Sequence, residues 1–303
     1  MGSTGHVMSS PWWWEAVSRP VGKDFGRIEV LAADGQVIAS MPYQLTRRGP
    51  LSAILMPELT QTARLWTAPS VDRQEALRLL IKELRTFMKR NRVVMVQVAD
   101  YLSEADKELL RAEGFSLQDR VSYQIAATTP ADSIAGNLAP NKRRRYKRAC
   151  GNFTLHTDLT PTELYSALQK SYGTVRYPQA LFLSLATAAL ANGNGVILSA
   201  QTPSGDTAAA VLLVTDDRTA YYLTPALHPD HKSDGANEWL TVQAIRHALS
   251  HGLTFDFEGS MVPTIAKSYS QYGSTPAHYT FATLFSPKPV KWLATAISAL
   301  KKK

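Results

Sequence analysis

Asp256 and Glu258 stand two positions apart in the run Phe255-Asp256-Phe257-Glu258-Gly259-Ser260. A strand alternates its faces, so both carboxylates are expected to point one way while Phe255 and Phe257 enter the opposite layer. Two carboxylates on one face can bind an ammonium group or take a proton from an attacking amine, and burial would raise the pKa of one of them toward a useful value. The competing structural reading has Asp256 bridging backbone groups and Glu258 facing water. A second group is basic: Lys142, Arg143, Arg144, Arg145, Lys147 and Arg148 fall within seven positions of a chain with net charge +8. Such a block attracts phosphates or an acidic surface. If helical it is basic on every face, so it is not expected to pack flat on a core; it is read either as a binding surface or as a solvated helix end between domains. Tyr172, Arg176 and Tyr177 sit where a helix ends before Pro178. The adjacent Tyr221 and Tyr222 place one ring on each face of a strand, one in the core and the other, taken as Tyr222, lining a groove for an acceptor molecule.

The elements that must position these residues occur in two passes. Residues 71–91 carry apolar side chains at helical spacing and lead into Val93-Val94-Met95-Val96-Gln97-Val98, a short helix, Gly114-Phe115 and an alternating strand around Tyr123. Residues 235–251 lead into Leu253-Thr254-Phe255-Asp256-Phe257-Glu258, another short helix, Tyr272-Gly273 and a strand around Tyr279. Gln97 precedes Gly114 by seventeen positions and Asp256 precedes Gly273 by seventeen. Duplicated α/β halves suggest two similar domains with a cleft between them, the usual place for a ligand. A hairpin is predicted at Ala33-Asp34-Gly35, and the pattern breaks at Thr128-Thr129-Pro130, which sets the boundary. Thr160-Pro161-Thr162-Glu163 starts a helix with a capping box. A further helix runs to Asn192-Gly193, and three strands follow at 196–201, 207–215 and 219–224. The expected division is 1–128, 129–287 and a C-terminal amphipathic helix with a lysine tail at 288–303, in which Leu293, Ala296, Ile297 and Leu300 form an apolar stripe. That helix either packs on the second domain or lies on the inner membrane surface.

At 303 residues and 45% hydrophobic content the chain suits two soluble domains. No run of eighteen apolar residues exists, and residues 1–10 lack the charged and apolar regions of a secretory signal, so the chain is expected in the cytosol, with peripheral membrane contact as an option. The lone Cys150 excludes an internal disulfide and is read as a small packing residue. His247 and His251 are the only helical i, i+4 pair, and no metal site is expected.

The order of strands and helices resembles the GNAT acyltransferase fold, and its duplication resembles the Fem-type family of peptidoglycan aminoacyltransferases. The segments that carry this are Pro11-Trp12-Trp13-Trp14, Met56-Pro57-Glu58-Leu59-Thr60-Gln61, residues 141–149, and Phe255-Asp256-Phe257-Glu258-Gly259-Ser260 ahead of Tyr272-Gly273. The resemblance implies tandem GNAT-like α/β domains with mixed sheets flanked by helices, a first domain that holds the acceptor and a second that holds the active groove. It implies acyl-CoA or aminoacyl-tRNA as co-substrate, no tightly bound cofactor, and transfer to an amine on a cell-envelope precursor. The donor's phosphates would meet Arg143, Arg144 and Arg145 and the loop at 228–237. There Lys232, Ser233 and Gly235 fit the family's phosphate loop loosely and Asn237 departs from it. The basic residue that Fem-type enzymes carry in the short helix would fall near Tyr269, with Lys267 half a turn away; either one would stabilise an oxyanion beside Glu258 and Asp256. The alternative is a non-catalytic protein of the same fold that binds tRNA, other nucleic acid or an anionic membrane through its basic block.

Overall fold

Trp13 and Trp14 anchor the start of the chain in the computed structural model, which describes residues 5–259 and 261–286. They lie on helix α1 (Pro11–Ser18), and their buried indole N–H groups donate to Thr60 Oγ1 at 2.9 Å and to the Met8 carbonyl at 2.8 Å. The predicted hairpin is formed by β1 (Asp24–Leu31) and β2 (Val37–Arg48); its turn needs Gly35 at φ 84°, and Asp34 Oδ1 accepts the Gln36 N–H. Strand β3 (Leu51–Ile54) and the short β4 (Trp66–Thr67) both pair with β2. Helix α2 (Arg73–Arg90), capped by Asp72, lays Ala76, Leu77, Leu80, Ile81, Leu84 and Met88 on this sheet at spacings of one helical face. Strand β5 (Val93–Asp100) runs parallel to β3, and α3 (Glu104–Ala112), with a capping box at Ser103, leads to β6 (Ser116–Ile125).

The second pass begins with α4 (Ile134–Asn137) and the basic α5 (Pro140–Ala149). Strand β7 (Thr154–His156) follows, then α6 (Pro161–Tyr172), whose Thr160 and Glu163 form the predicted capping box, and α7 (Gln179–Ala191). An antiparallel series β8 (Gly195–Gln201), β9 (Thr207–Thr215) and β10 (Thr219–Leu227) leads to α8 (Ala236–Ser250). The chain closes with β11 (Thr254–Asp256), parallel to β10, then α9 (Pro263–Ser270) and β12 (Thr275–Phe285). Each pass therefore contains three antiparallel strands, a helix, a parallel strand, a short helix and a final strand.

The chain divides into two compact units, and the divisions fall inside strands, at Arg120/Val121 in β6 and at His278/Tyr279 in β12, where the sequence reading set a single boundary between the domains, at 128/129. The reason is an exchange of closing strands. Residues 280–285 of β12 pair with β5 in the first unit, and Gln124 and Ile125 of β6 pair with β11 in the second. The expected helix at 288–303 lies outside the described residues.

Helix α5 corrects another expectation. It does pack on the core, with Lys142, Tyr146 and Ala149 buried at i, i+4 and i+7 and the basic side chains distributed around that stripe. Cys150, expected as a packing residue, is exposed just past its end.

Candidate active site in the second unit

Strands β10 and β11 hydrogen-bond in parallel over only three residue pairs, Thr219 to Tyr221 against Thr254 to Asp256. Beyond these pairs both backbones leave regular geometry. In β10, Leu223 pairs with Leu212 and Ala226 with Ala210, so Thr224 and Pro225 together face Val211. This is a bulge, and Pro225 fits it because it has no N–H to give to the ladder. Thr224 has φ 53°, rare for a β-branched residue. Strand β11 stops at Asp256, and Glu258 takes φ 64°. Each such residue costs about 1–3 kcal/mol. Both lie where two parallel strands separate at their carboxyl ends, the place where open α/β sheets bind ligands.

The same geometry corrects the alternation argument for Glu258, which lies beyond the strand. Its direction is set by the left-handed turn and by its own N–H, which donates to Asp256 Oδ1 at 2.8 Å. Asp256 is fully buried and takes two further bonds from β6, from the Ser122 hydroxyl and from Gln124 Nε2 at 2.6 Å. It therefore fixes the turn that presents Glu258. Burial, and then the neighbouring Asp256 charge, push the Glu258 carboxyl well above the ordinary range.

Aromatic residues surround this point. Tyr269 of α9 stacks on Phe257, with ring centroids 4.5 Å apart and planes at 23°. Burial first, then the nearby Tyr172, Glu258 and Asp256, push its phenol up to about 12, so it is a proton-bearing donor at neutral pH. Tyr172 is exposed over much of its ring, and its hydroxyl donates to the Pro225 carbonyl in the bulge at 2.7 Å. Burial, with Tyr172 adding, raises the Tyr177 phenol, which lies beside Thr224. The structure thus brings Asp256, Glu258, Tyr269, Tyr172 and Tyr177 to one place, while Lys267 and Arg176 are exposed.

Tyr222 does not line a groove. It is 4% exposed, bonded to Thr241 Oγ1 at 3.0 Å and packed on Phe255 and Phe257. Tyr221 takes the other face and donates to Asp216 Oδ2 at 3.0 Å; burial first, then Asp216, and last the Asp256 and Glu258 charges raise its phenol well above the usual value.

A second group collects at the N-terminus of α8. Lys232 and Ser233 are exposed, Gly235 is the N-cap at φ 84°, and Asn237 is half-buried in the first turn. Gly235 has a packing reason: a Cβ there would lie 2.4 Å from the Arg145 carbonyl, so α5 approaches closely. Arg145 donates to the Lys232 carbonyl and lies 3.5 Å from Glu238, while Arg143 donates to the carbonyls of Gly136 and Leu138, at 3.0 Å for the latter. Lys142 is buried against the equally buried Glu238 at 3.1 Å. Only Arg144, Lys147 and Arg148 of the block are exposed, so half of its charge holds the fold together. Asp234, in the same loop, pairs with His231 at 2.8 Å.

Some residues escaped the sequence reading. The bulge could have been found from Thr224-Pro225 inside an apolar strand. Ser122 and Gln124 carry no such signal, because their role depends on the partner of β6. A hollow of about 550 Å³, bordered by Lys170, Ala208, Ala226 and His228, opens beside the bulge and was also missed.

Residues 139–263 match the family described as Acetyltransferase (GNAT) domain. A search of curated proteins returns no significant match. Among solved structures, one titled as FemX superposes with a TM-score of 0.75 at 13% identity, covering 95% of this chain and 94% of that one. A tandem GNAT protein from the clavulanic acid biosynthesis pathway gives 0.57 at 14% identity, covering 94% and 97%. L-PGS from Bacillus licheniformis gives 0.54 at 14% identity, covering 89% and 86%. The second unit carries a GNAT acyltransferase domain, and the chain has the Fem-like tandem GNAT fold.

Proposed function

We propose that this acyltransferase passes an acyl or aminoacyl group from a phosphate-bearing donor to an amine of a cell-envelope precursor, in the opening between β10 and β11. The observation that carries the reading is the pair of left-handed residues, Thr224 in the bulge of β10 and Glu258 just past the end of β11, where the two strands part. The amine nitrogen bonds to the acyl carbon, the donor's C–S or C–O bond breaks, and the amine proton goes to Glu258. Tyr269, kept protonated, donates to the oxyanion, and Tyr172, Arg176 and Tyr177 border the acceptor side. Lys267, exposed on α9, is a secondary candidate for the oxyanion. Acyl-CoA is the favoured donor because the matched family is an acetyltransferase domain. Its phosphates would meet Lys232, Ser233, Asn237 and the exposed Arg144 at the positive end of α8, where Gly235 keeps the turn and Arg143 and Arg145 hold the loop. Aminoacyl-tRNA and an envelope acceptor rest on the Fem-like fold alone.

The test is single-turnover acyl transfer to a panel of amines from acetyl-CoA and from charged tRNA, with the parent and with Glu258→Gln. Transfer from either donor that the substitution abolishes supports the reading. Absence of transfer from both, with tRNA still bound, would establish the non-catalytic binding alternative instead.

A further inference from the structure

A groove of about 630 Å³ runs along the C-terminal half of α2 in the first unit, and the transfer reaction gives it no role. Its floor is apolar, made by Leu51, Met88, Val93 and Val94, and Leu51 is 48% exposed. Its rim carries Lys82, Arg85, Lys89 and Arg92, and no acidic side chain lines it among the described residues. Arg85 is held by Glu113 at 3.1 Å; Lys82, Lys89 and Arg92 make no ion pair among the described residues. Arg92 follows the end of α2 at φ 54°, a position where glycine is usual. A strained arginine on the rim of a cationic groove is the kind of feature that ligand clamps retain.

We infer that this groove seats the headgroup of an anionic phospholipid and holds the first unit against a membrane surface. Three observations favour a lipid over other anions. An apolar floor beneath a cationic rim matches the boundary between acyl chains and headgroups. Among the described residues the rim contains no aromatic ring on which a nucleic-acid base could stack. Finally, the chain leaves the groove's edge at Ser286, and the seventeen residues after it carry five lysines, no acid, and Trp292, Leu293, Ile297 and Leu300. That composition repels a cationic groove and shares its attraction to an anionic, apolar surface. The inference does not depend on the transferase reading.

The experiment is co-sedimentation of the full chain with phosphatidylcholine vesicles, with and without phosphatidylglycerol, at low and high salt. The parent should pellet with the anionic vesicles only and should be released by salt. A variant combining Lys82→Ala, Lys89→Ala and Arg92→Gly should partition about 10²-fold less, at roughly fivefold per cation. Its acyl transfer and its melting temperature should match the parent's, since the three side chains are exposed and glycine relieves the strained position. If this variant misfolds, the single Lys89→Ala substitution should still weaken partitioning about fivefold. Equal pelleting of variant and parent overturns the inference, as does loss of pelleting only on substituting Lys301, Lys302 and Lys303. Weakened binding to a homopolymeric RNA with unchanged vesicle binding would also overturn it.

Discussion

Replacing Glu258 tests the site because stability and activity should move in opposite directions. Glu258→Gln keeps the side-chain volume, the left-handed backbone and the main-chain bond from residue 258 to Asp256 Oδ1, and removes only the titratable group. A general base contributes about 10²-fold or more, so turnover should fall by at least that factor. In the parent, kcat/KM should rise with pH through the elevated Glu258 pKa, because only the ionised carboxylate accepts a proton. Gln should abolish that limb. The stability effect has the other sign. A carboxyl raised in the folded state stabilises most at low pH and loses that contribution as pH rises through its folded pKa, so the Gln variant should be no less stable than the parent at neutral pH. Glu258→Gly extends the test, since it also relieves the positive φ and should gain about 1 kcal/mol while remaining inactive. Thiol release from acetyl-CoA in the presence of an amine reads activity, and urea unfolding reads stability. If Glu258→Gln and Glu258→Gly both retain the parent's pH profile, Glu258 is not the base; if both lose stability, its role is structural.

The basic helix should divide by burial rather than by charge. Lys142→Met leaves the buried Glu238 with Arg145 as its one remaining ion-pair partner among the described residues and should cost about 3 kcal/mol, whereas Arg144→Ala should change stability by less than about 0.5 kcal/mol; equal effects in thermal unfolding would refute the pairing. Gly235→Ala places a Cβ on the Arg145 carbonyl in a left-handed turn and should cost about 3 kcal/mol or more, and a variant as stable as the parent in urea would show that α5 is not packed there. Asp100 in the first unit is buried, and burial outweighs the N–H bonds from Leu65 and Tyr101 to push its carboxyl up to about 7. Because the folded value is raised, its contribution is present below about pH 4 and is lost as pH rises to about 7, up to roughly 4 kcal/mol in all. Asp100→Asn should flatten the stability curve over that window, and parallel curves for variant and parent would exclude the effect.

What the sequence determined is what local chemistry controls. The turn at Asp34-Gly35, the capping box at Thr160 and Glu163, the apolar face of α2 and the repeated strand–helix–strand order all depend on neighbours within a few positions, and each is read from spacing. Asp256 and Glu258 were legible as candidates because two carboxylates alternating with aromatics are unusual in such a run, and Tyr269 only through the resemblance to the short helix of Fem-type enzymes. The rest depends on partners far along the chain. The separation of β10 from β11 follows from a bulge, and the positive φ of Thr224 and Glu258 has no counterpart in residue type. Adjacent tyrosines in β10 must face opposite ways, but only the packing of Phe255 and Phe257 decides that Tyr222 is the inner one. Lys142 looked like its neighbours until Glu238, ninety-six positions away, gave it a buried partner. The exchange of closing strands is likewise invisible to periodicity, since β6 and β12 have the same alternating pattern whichever sheet receives them; tertiary pairing made that choice.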